Sequence, residues 1–137
     1  MEFINSKKYL TKNTGTIDIN GDTNNCVVRA LAVLLDCSYG EAYEYSKKNL
    51  NRKHGKGVWN SDLVKHLREN LKTTIPYNHR GAGNPTFNQF SKNGLDVSKS
   101  YFLIVRGHAI ALKNGVLYGN DKDAKISRKR LWGVYEF

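Results

Sequence analysis

The pattern of apolar and polar residues predicts helices in the first two thirds of the chain. Residues 26–36 (CVVRALAVLLD) are apolar around nearly the whole circumference of a helix, so this helix must be enclosed by the rest of the domain. The four polar residues before it, at 22–25, are all candidate N-caps. Ser38 and Glu41 form a capping box, which predicts a second helix ending near Leu50.

Two further helices are indicated by spacing and by capping residues. The third begins behind Asn60 or Ser61 and has leucine or valine at positions 63, 64, 67 and 71, the spacing of one helical face. The fourth has Asn84 or Thr86 as its cap and stops at the Asn-Gly pair of residues 93–94.

The last third of the chain changes to a strand pattern. Asn114 and Gly115 are a strong two-residue hairpin signal, and the segments on either side of them are β-branched and aromatic. The predicted strands are 16–19, 73–77, 101–105, 109–112, 116–118 and 131–137. We therefore expect an α+β fold in which N-terminal helices pack on a C-terminal antiparallel sheet. The length of 137 residues suits a single domain, 1–137.

Composition narrows the classes of protein that remain. Eight Tyr, five Phe and two Trp exclude a disordered chain, and no apolar run is long enough for a membrane span. The N-terminal segment lacks the apolar core of a secretory signal, and two cysteines are too few for a disulfide scaffold. We expect a cytoplasmic protein with free thiols.

The net charge of +10 favours nucleic acid or an acidic protein as a partner, although a solvated basic surface explains this charge equally well.

Cys26 is the first candidate for chemistry, because it begins the enclosed helix. The positive end of a helix favours the thiolate, which is the nucleophilic form of cysteine. The N–H groups of the first helical turn have no partner within the helix and can stabilise an oxyanion. Cys37 lies at the opposite end of the same helix, where a thiolate is disfavoured, and we assign it to structure. A small buried hydrophobe is the competing interpretation of Cys26.

His108 is the candidate general base, because it precedes the first arm of the hairpin and can face the start of the enclosed helix. The other histidines lie in a basic loop, on a polar helix face and in a glycine-rich loop, at positions 54, 66 and 79. A catalytic imidazole needs a third group to fix its tautomer. Asn120, just past the second hairpin arm, is placed for this role, with Asp121 as its alternative. A loop that merely terminates the strand is an equally good reading of both residues.

Three segments together resemble the small papain-like cysteine-peptidase-like proteins common in phage and bacterial genomes. They are NNCVVRALAVLLDCSYGEAYEY, WNSDLVKHLRENL and PTFNQFSKNGLDVSKSYFLIVRGHAIALKNGVLYGN. In those proteins a Cys-Val-(Val/Ile)-Arg-Ala helix is followed much later by a strand, a Gly-His pair and a hairpin. The match runs in order from about Asp22 to Asn120. It implies a papain-like fold, with Cys26 as nucleophile, His108 as general base and, for a phage-encoded protein, location in the host-cell cytoplasm.

The chain departs from that family at two places. Relatives tend to have an Asp soon after the hairpin tyrosine, whereas Tyr118 is followed here by Gly-Asn-Asp. Papain-type enzymes also use a Gln upstream of the cysteine to hold the oxyanion, and this chain has none there. Asn20 is a substitute with a shorter amide, and Asn24 and Asn25 are further donors or simply helix caps.

The sequence therefore supports two functional hypotheses. The first is a papain-like thiol peptidase or related acyl transferase acting on a protein or peptide amide. The second is a catalytically inactive papain-like scaffold whose basic surface binds nucleic acid or an acidic host protein. Neither requires a cofactor, and no Cys-x-x-Cys or closely spaced His pair indicates a metal site.

Overall fold

The computed structural model describes residues 1–137, and side chains cap the N-termini of three of its five α-helices. The helices are α1 (Ser6–Thr11), α2 (Cys26–Leu34), α3 (Tyr39–Leu50), α4 (Asn60–Asn70) and α5 (Phe87–Asn93). Ser38 caps α3 and Thr86 caps α5, each through a capping box in which both hydrogen bonds are formed. The Ser38 cap was predicted, and Thr86 was one of the two caps predicted for α5, the other being Asn84. Helix α1 was not predicted from the sequence. None of the helices has the length and apolar character needed to cross a lipid bilayer.

Six strands form one mixed sheet. They are β1 (Phe3–Asn5), β2 (Lys72–Ile75), β3 (Ser100–Val105), β4 (His108–Lys113), β5 (Val116–Gly119) and β6 (Gly133–Glu136), in the order β1-β5-β4-β3-β6-β2. Every neighbouring pair is antiparallel except β1, which runs parallel to β5. The α+β class is as expected. The prediction of an antiparallel sheet is wrong at one edge, where β1 from the N-terminus runs parallel to β5. The other edge, β2, overlaps the predicted strand 73–77 and is antiparallel to β6, although it comes from the middle of the chain.

The segment 16–19, predicted as an edge strand, forms turns instead. The backbone N–H of Asn20 donates to the Asp18 carboxylate at 2.9 Å, and the N–H of Gly21 donates to the Asp18 carbonyl at 3.1 Å. Ile19 is nevertheless buried. These local hydrogen bonds to Asp18 form in place of the hydrogen bonds between strands. The alternation of polar and apolar residues over 16–19 therefore belongs to a turn with a buried Ile19.

The two central strands, β3 and β4, are buried on both faces. On one face Phe102, Ile104 and Ala111 pack against α2 and its neighbouring helices. On the other face Leu103 and Ile110 pack against α5 and the 3-10 segment Asp121–Arg128. Helical structure therefore covers both faces of the sheet. Helix α2 lies directly on β4, and this contact brings the start of α2 to the start of β4.

Candidate active site

Cys26 lies at the uncapped N-terminus of α2. The preceding residue, Asn25, makes no capping hydrogen bond with its side chain. The backbone hydrogen bonds of the helix begin with the N–H of Arg29, which donates to the Asn25 carbonyl at 2.9 Å. The N–H groups of the first turn are therefore free of intrahelical partners and create a positive end. Cys26 is only partly buried and lines a cavity of about 180 Å³. The thiol is thus accessible, whereas every residue from Val27 to Leu34 is buried.

His108 enters the same cavity from the sheet. It is the first residue of β4, where it pairs with Val105 across the hairpin, and the turn between them has Gly107 at a φ of 62°. Gly107, His108 and Ala109 all line the cavity that contains Cys26. The contact between α2 and β4 therefore brings together a thiol and an imidazole that are 82 positions apart in the chain.

The surroundings of Cys26 favour its thiolate. Burial raises the pKa of this thiol. A hydrogen bond and ionic attraction to His108 lower the pKa, and so do a backbone hydrogen bond from Ala109 and the charge of Arg29. The net effect is a pKa below the ordinary value. Cys37 shows the opposite behaviour, since burial and the neighbouring Glu41 and Asp36 raise its pKa. One helix therefore carries a favoured thiolate at its start and a disfavoured one just past its end.

A buried carboxylate holds the far side of the imidazole. Nε2 of His108 lies 2.7 Å from Oδ2 of Asp123, which leaves Nδ1 for the thiol. Asp123 is only 2% exposed, and its Oδ2 also accepts the backbone N–H of Asn120 at 2.7 Å. Burial raises the pKa of Asp123, but these two contacts bring it below its usual range. For His108, burial lowers the pKa, while the bonds to Asp123 and Cys26 raise it to about 9.

The two sequence-predicted third members lie elsewhere. Oδ1 of Asn120 accepts a hydrogen bond from Nη2 of Arg29 at 2.5 Å, and Oδ1 of Asp121 accepts one from Asn5 at 2.8 Å. Neither side chain bonds to His108, and the group that does, Asp123, was missed by the sequence analysis. The papain-like proteins that the sequence resembles tend to have an Asp soon after the hairpin tyrosine, and Asp123, five positions after Tyr118, could have been proposed on that basis.

Arg29 is a buried cation one helical turn beyond Cys26. It is 6% exposed, and burial lowers the pKa of its guanidinium while the nearby Cys26 and Asp123 raise it. Through Asn120 it is joined to the backbone that holds Asp123. Arg29 therefore supports the thiolate electrostatically and supports the carboxylate mechanically.

Of the oxyanion donors expected from the sequence, only Asn24 lines the cavity. Asn20 is exposed and belongs to the Asp18 turn, and Asn25 donates its side-chain amide to the Asp22 carbonyl at 2.8 Å. Asn24 does line the cavity, although its amide donates to the Gly55 carbonyl at 3.0 Å. The backbone N–H groups at the start of α2 are the donors that the structure leaves for this role.

An ion pair fixes the loop in front of Cys26. Asp22 and Arg52 form two hydrogen bonds of 2.9 and 3.0 Å, and their side chains are 0% and 2% exposed. Tyr39 also donates to this carboxylate, as does the N–H of Gly55 at 2.7 Å. Asp22, read from the sequence as a candidate cap, instead ties the segment 22–25 to the basic loop 51–57.

Gly119 provides a test of the carboxylate position. A β-carbon built at this glycine contacts the Asp123 carboxylate, while its φ does not lie in the left-handed region. We expect Gly119→Ala to displace the carboxylate without backbone strain and to slow alkylation of Cys26 at pH 6.5 on the order of tenfold. The measurement is the rate of iodoacetamide modification. Gly21→Ala, whose nearest atoms lie at 3.7 Å, is the control, and equal rates in the two variants would contradict this role of Asp123.

Comparisons with protein-family models, with curated proteins and with solved structures found no match to this chain.

Proposed function

We propose that this protein is a papain-like thiol hydrolase or acyl transferase that acts on a protein or peptide amide. The arrangement of Cys26, His108 and Asp123 carries the proposal: a thiol at a helix N-terminus, an imidazole beside it and a buried carboxylate behind the imidazole. This is the constellation that nucleophilic cysteine chemistry requires. The resemblance of the sequence to papain-like proteins supports the same class.

The reaction follows from the charges at the site. The lowered pKa of Cys26 and the raised pKa of His108 favour a thiolate paired with an imidazolium near neutral pH. The thiolate attacks the carbonyl carbon, and the oxyanion that forms accepts hydrogen bonds from the N–H groups of the first turn of α2. The imidazolium gives its proton to the leaving amine, and a thioester remains on Cys26. Water, or an acceptor amine, then attacks the thioester with His108 as base and regenerates the thiol.

Selective alkylation is the first test of this proposal. Between pH 5 and 8 we expect iodoacetamide to modify Cys26 at a rate that exceeds that of Cys37 by at least about tenfold, because only Cys26 has a favoured thiolate. Peptide mass spectrometry assigns each site. His108→Ala removes the preference, whereas His66→Ala, which alters a histidine bonded to Tyr45, preserves it. Identical pH dependences for the two thiols would contradict an activated Cys26.

Acyl transfer is tested with p-nitrophenyl acetate. Attack by the Cys26 thiolate transfers the acetyl group to sulfur and releases p-nitrophenolate, so we expect a burst of about one equivalent. The burst is absent in Cys26→Ala and present in Cys37→Ala. A protein that alkylates selectively but releases no Cys26-dependent p-nitrophenolate, either as a burst or in steady turnover, would not be an acyl-transfer enzyme, which would favour the inactive scaffold.

A further inference from the structure

A second cavity adjoins the one that contains Cys26 and His108. Its volume is about 460 Å³, and it is formed by the loop between α3 and α4. Its lining residues are Asn51, Lys53, Lys56, Gly57, Val58 and Trp59. Gly57 and Val58 also line the smaller cavity of the thiol. The two cavities therefore lie next to each other with Gly57 and Val58 as a common wall. We call the second cavity the Trp59 pocket and the two together the groove.

The chemistry of the Trp59 pocket is cationic and aromatic. Trp59 is 79% exposed, more than any other large hydrophobic side chain of the protein, and Lys53 and Lys56 are exposed beside it. No acidic residue occurs between positions 52 and 61. The charge of Arg52 is already matched by Asp22, so the two lysines are the cations left to face a ligand.

We propose that the Trp59 pocket binds an acidic side chain of the peptide whose amide lies at Cys26, which makes the protein selective for glutamate or aspartate near the bond it attacks. The proposal rests on the proposed function, because it names the substrate class of that same site. Carboxylates pair with ammonium groups, and the Trp59 ring provides an apolar surface for the methylene groups of the ligand.

A peptide fits this groove better than a nucleic acid. Single-stranded nucleic acids are held by successive aromatic platforms along a basic track, and Trp59 is the one aromatic side chain lining either cavity. The cavity of the thiol is only about 180 Å³, which accommodates an amide and a small side chain. These features favour an acidic peptide over a polynucleotide.

Gly57 offers a steric probe of the connection between the two cavities. A β-carbon at Gly57 has no atom within 4 Å, and its φ lies outside the left-handed region. A β-carbon can therefore be added here without strain, and a leucine side chain would start from a residue that lines both cavities. Gly57→Leu should weaken any peptide that spans the junction.

Binding to the Cys26→Ala protein tests the proposal without turnover. The probes are two capped octapeptides of alternating alanine and glutamate or alanine and glutamine, titrated by calorimetry in low salt. We expect the glutamate peptide to bind about fivefold more tightly or better. Lys53→Gln with Lys56→Gln should remove the difference. Lys72→Gln with Lys92→Gln, which lowers the net charge equally at exposed sites outside both cavities, should retain it. Gly57→Leu should weaken the glutamate peptide.

The proposal would be overturned by equal affinity for the two peptides, or by equal loss in both double-lysine variants. A twelve-nucleotide oligothymidine that binds more tightly than the glutamate peptide, and loses its affinity in Trp59→Ala, would also overturn it by assigning the pocket to nucleic acid. Selective binding of the glutamate peptide by a protein whose thiol shows no burst with the nitrophenyl ester would support the pocket and reject the enzyme. A burst with the nitrophenyl ester without selective binding of the glutamate peptide would support the enzyme and reject the pocket.

Discussion

Asp123→Asn is expected to lower the rate of acyl transfer by about 10²- to 10⁴-fold, the typical contribution of positioned acid–base catalysis. An amide at this position has no charge to hold the imidazolium, so the pKa of His108 falls from about 9 towards the ordinary value for histidine. The pKa of Cys26 rises in turn, since the positive charge of His108 lowers it. The measurement is the burst rate with the nitrophenyl ester as a function of pH.

The pH profile separates this role from a structural one. In the unmodified protein the thiolate–imidazolium pair exists from the lowered pKa of Cys26 up to about pH 9, where His108 loses its proton. In Asp123→Asn this pH range should become narrower, because the pKa of Cys26 at its lower limit rises and the pKa of His108 at its upper limit falls. Asp121→Asn is the matched control, because it makes the same change two positions away, where the carboxylate bonds only to Asn5. Equal burst rates in the two variants would exclude Asp123 from the site.

Asp22→Asn is expected to lower the free energy of unfolding by about 3–5 kcal/mol, the typical cost of breaking a buried ion pair on one side. The change leaves the Arg52 guanidinium buried without a counter-charge and weakens the bonds from Tyr39 and Gly55. Urea unfolding followed by circular dichroism measures the loss. Asp18→Asn, at an exposed turn, should have little effect.

The same ion pair has a defined pH dependence. Burial raises the pKa of Asp22, but hydrogen bonds from Arg52, Tyr39 and Gly55 outweigh it, so the folded-state pKa is lowered. A carboxylate of this kind stabilises the fold above its unfolded-state pKa of about 3.9 and loses that contribution as the pH falls further. The stability difference between the unmodified protein and Asp22→Asn should therefore shrink on acidification below about pH 4. If Asp22→Asn does not fold, Arg52→Lys, which keeps the charge, offers a milder variant. An unchanged urea midpoint in both would contradict the role of the pair.

Features encoded by neighbouring residues could be predicted from the sequence. The capping boxes at Ser38 and Thr86 and the hairpin turn at Asn114 each depend on residues within three positions of one another, and all three form in the structure. The juxtaposition of Cys26 with His108 was inferred from position at a helix start and from chain order, and the cavity contains both side chains.

Features that depend on distant contacts were missed. Strand β1 has three residues, too few to show a period, and it exists because Phe3 pairs with Leu117. Asp123 lies in a run of mostly basic residues that reads as a solvated surface. It is buried because the segment curls into a 3-10 helix whose Ile126 packs under the sheet. Asp22 resembled a helix cap, because no neighbouring residue in the sequence indicates that its carboxylate forms an ion pair with Arg52, 30 positions away.

The attachment of loop 51–57 to segment 22–25 has a consequence for how the protein responds to its ligand. Asp22 accepts hydrogen bonds from Arg52 and Gly55, and Asn24 donates to the Gly55 carbonyl, so the two stretches of chain are coupled by several bonds that centre on Asp22. A ligand that binds Lys53 or Lys56 and shifts the loop is therefore expected to shift the residues immediately before Cys26. We therefore expect a ligand in the Trp59 pocket to change the alkylation rate of Cys26, and we expect Asp22→Asn to weaken this effect because it loosens the bonds between the two segments.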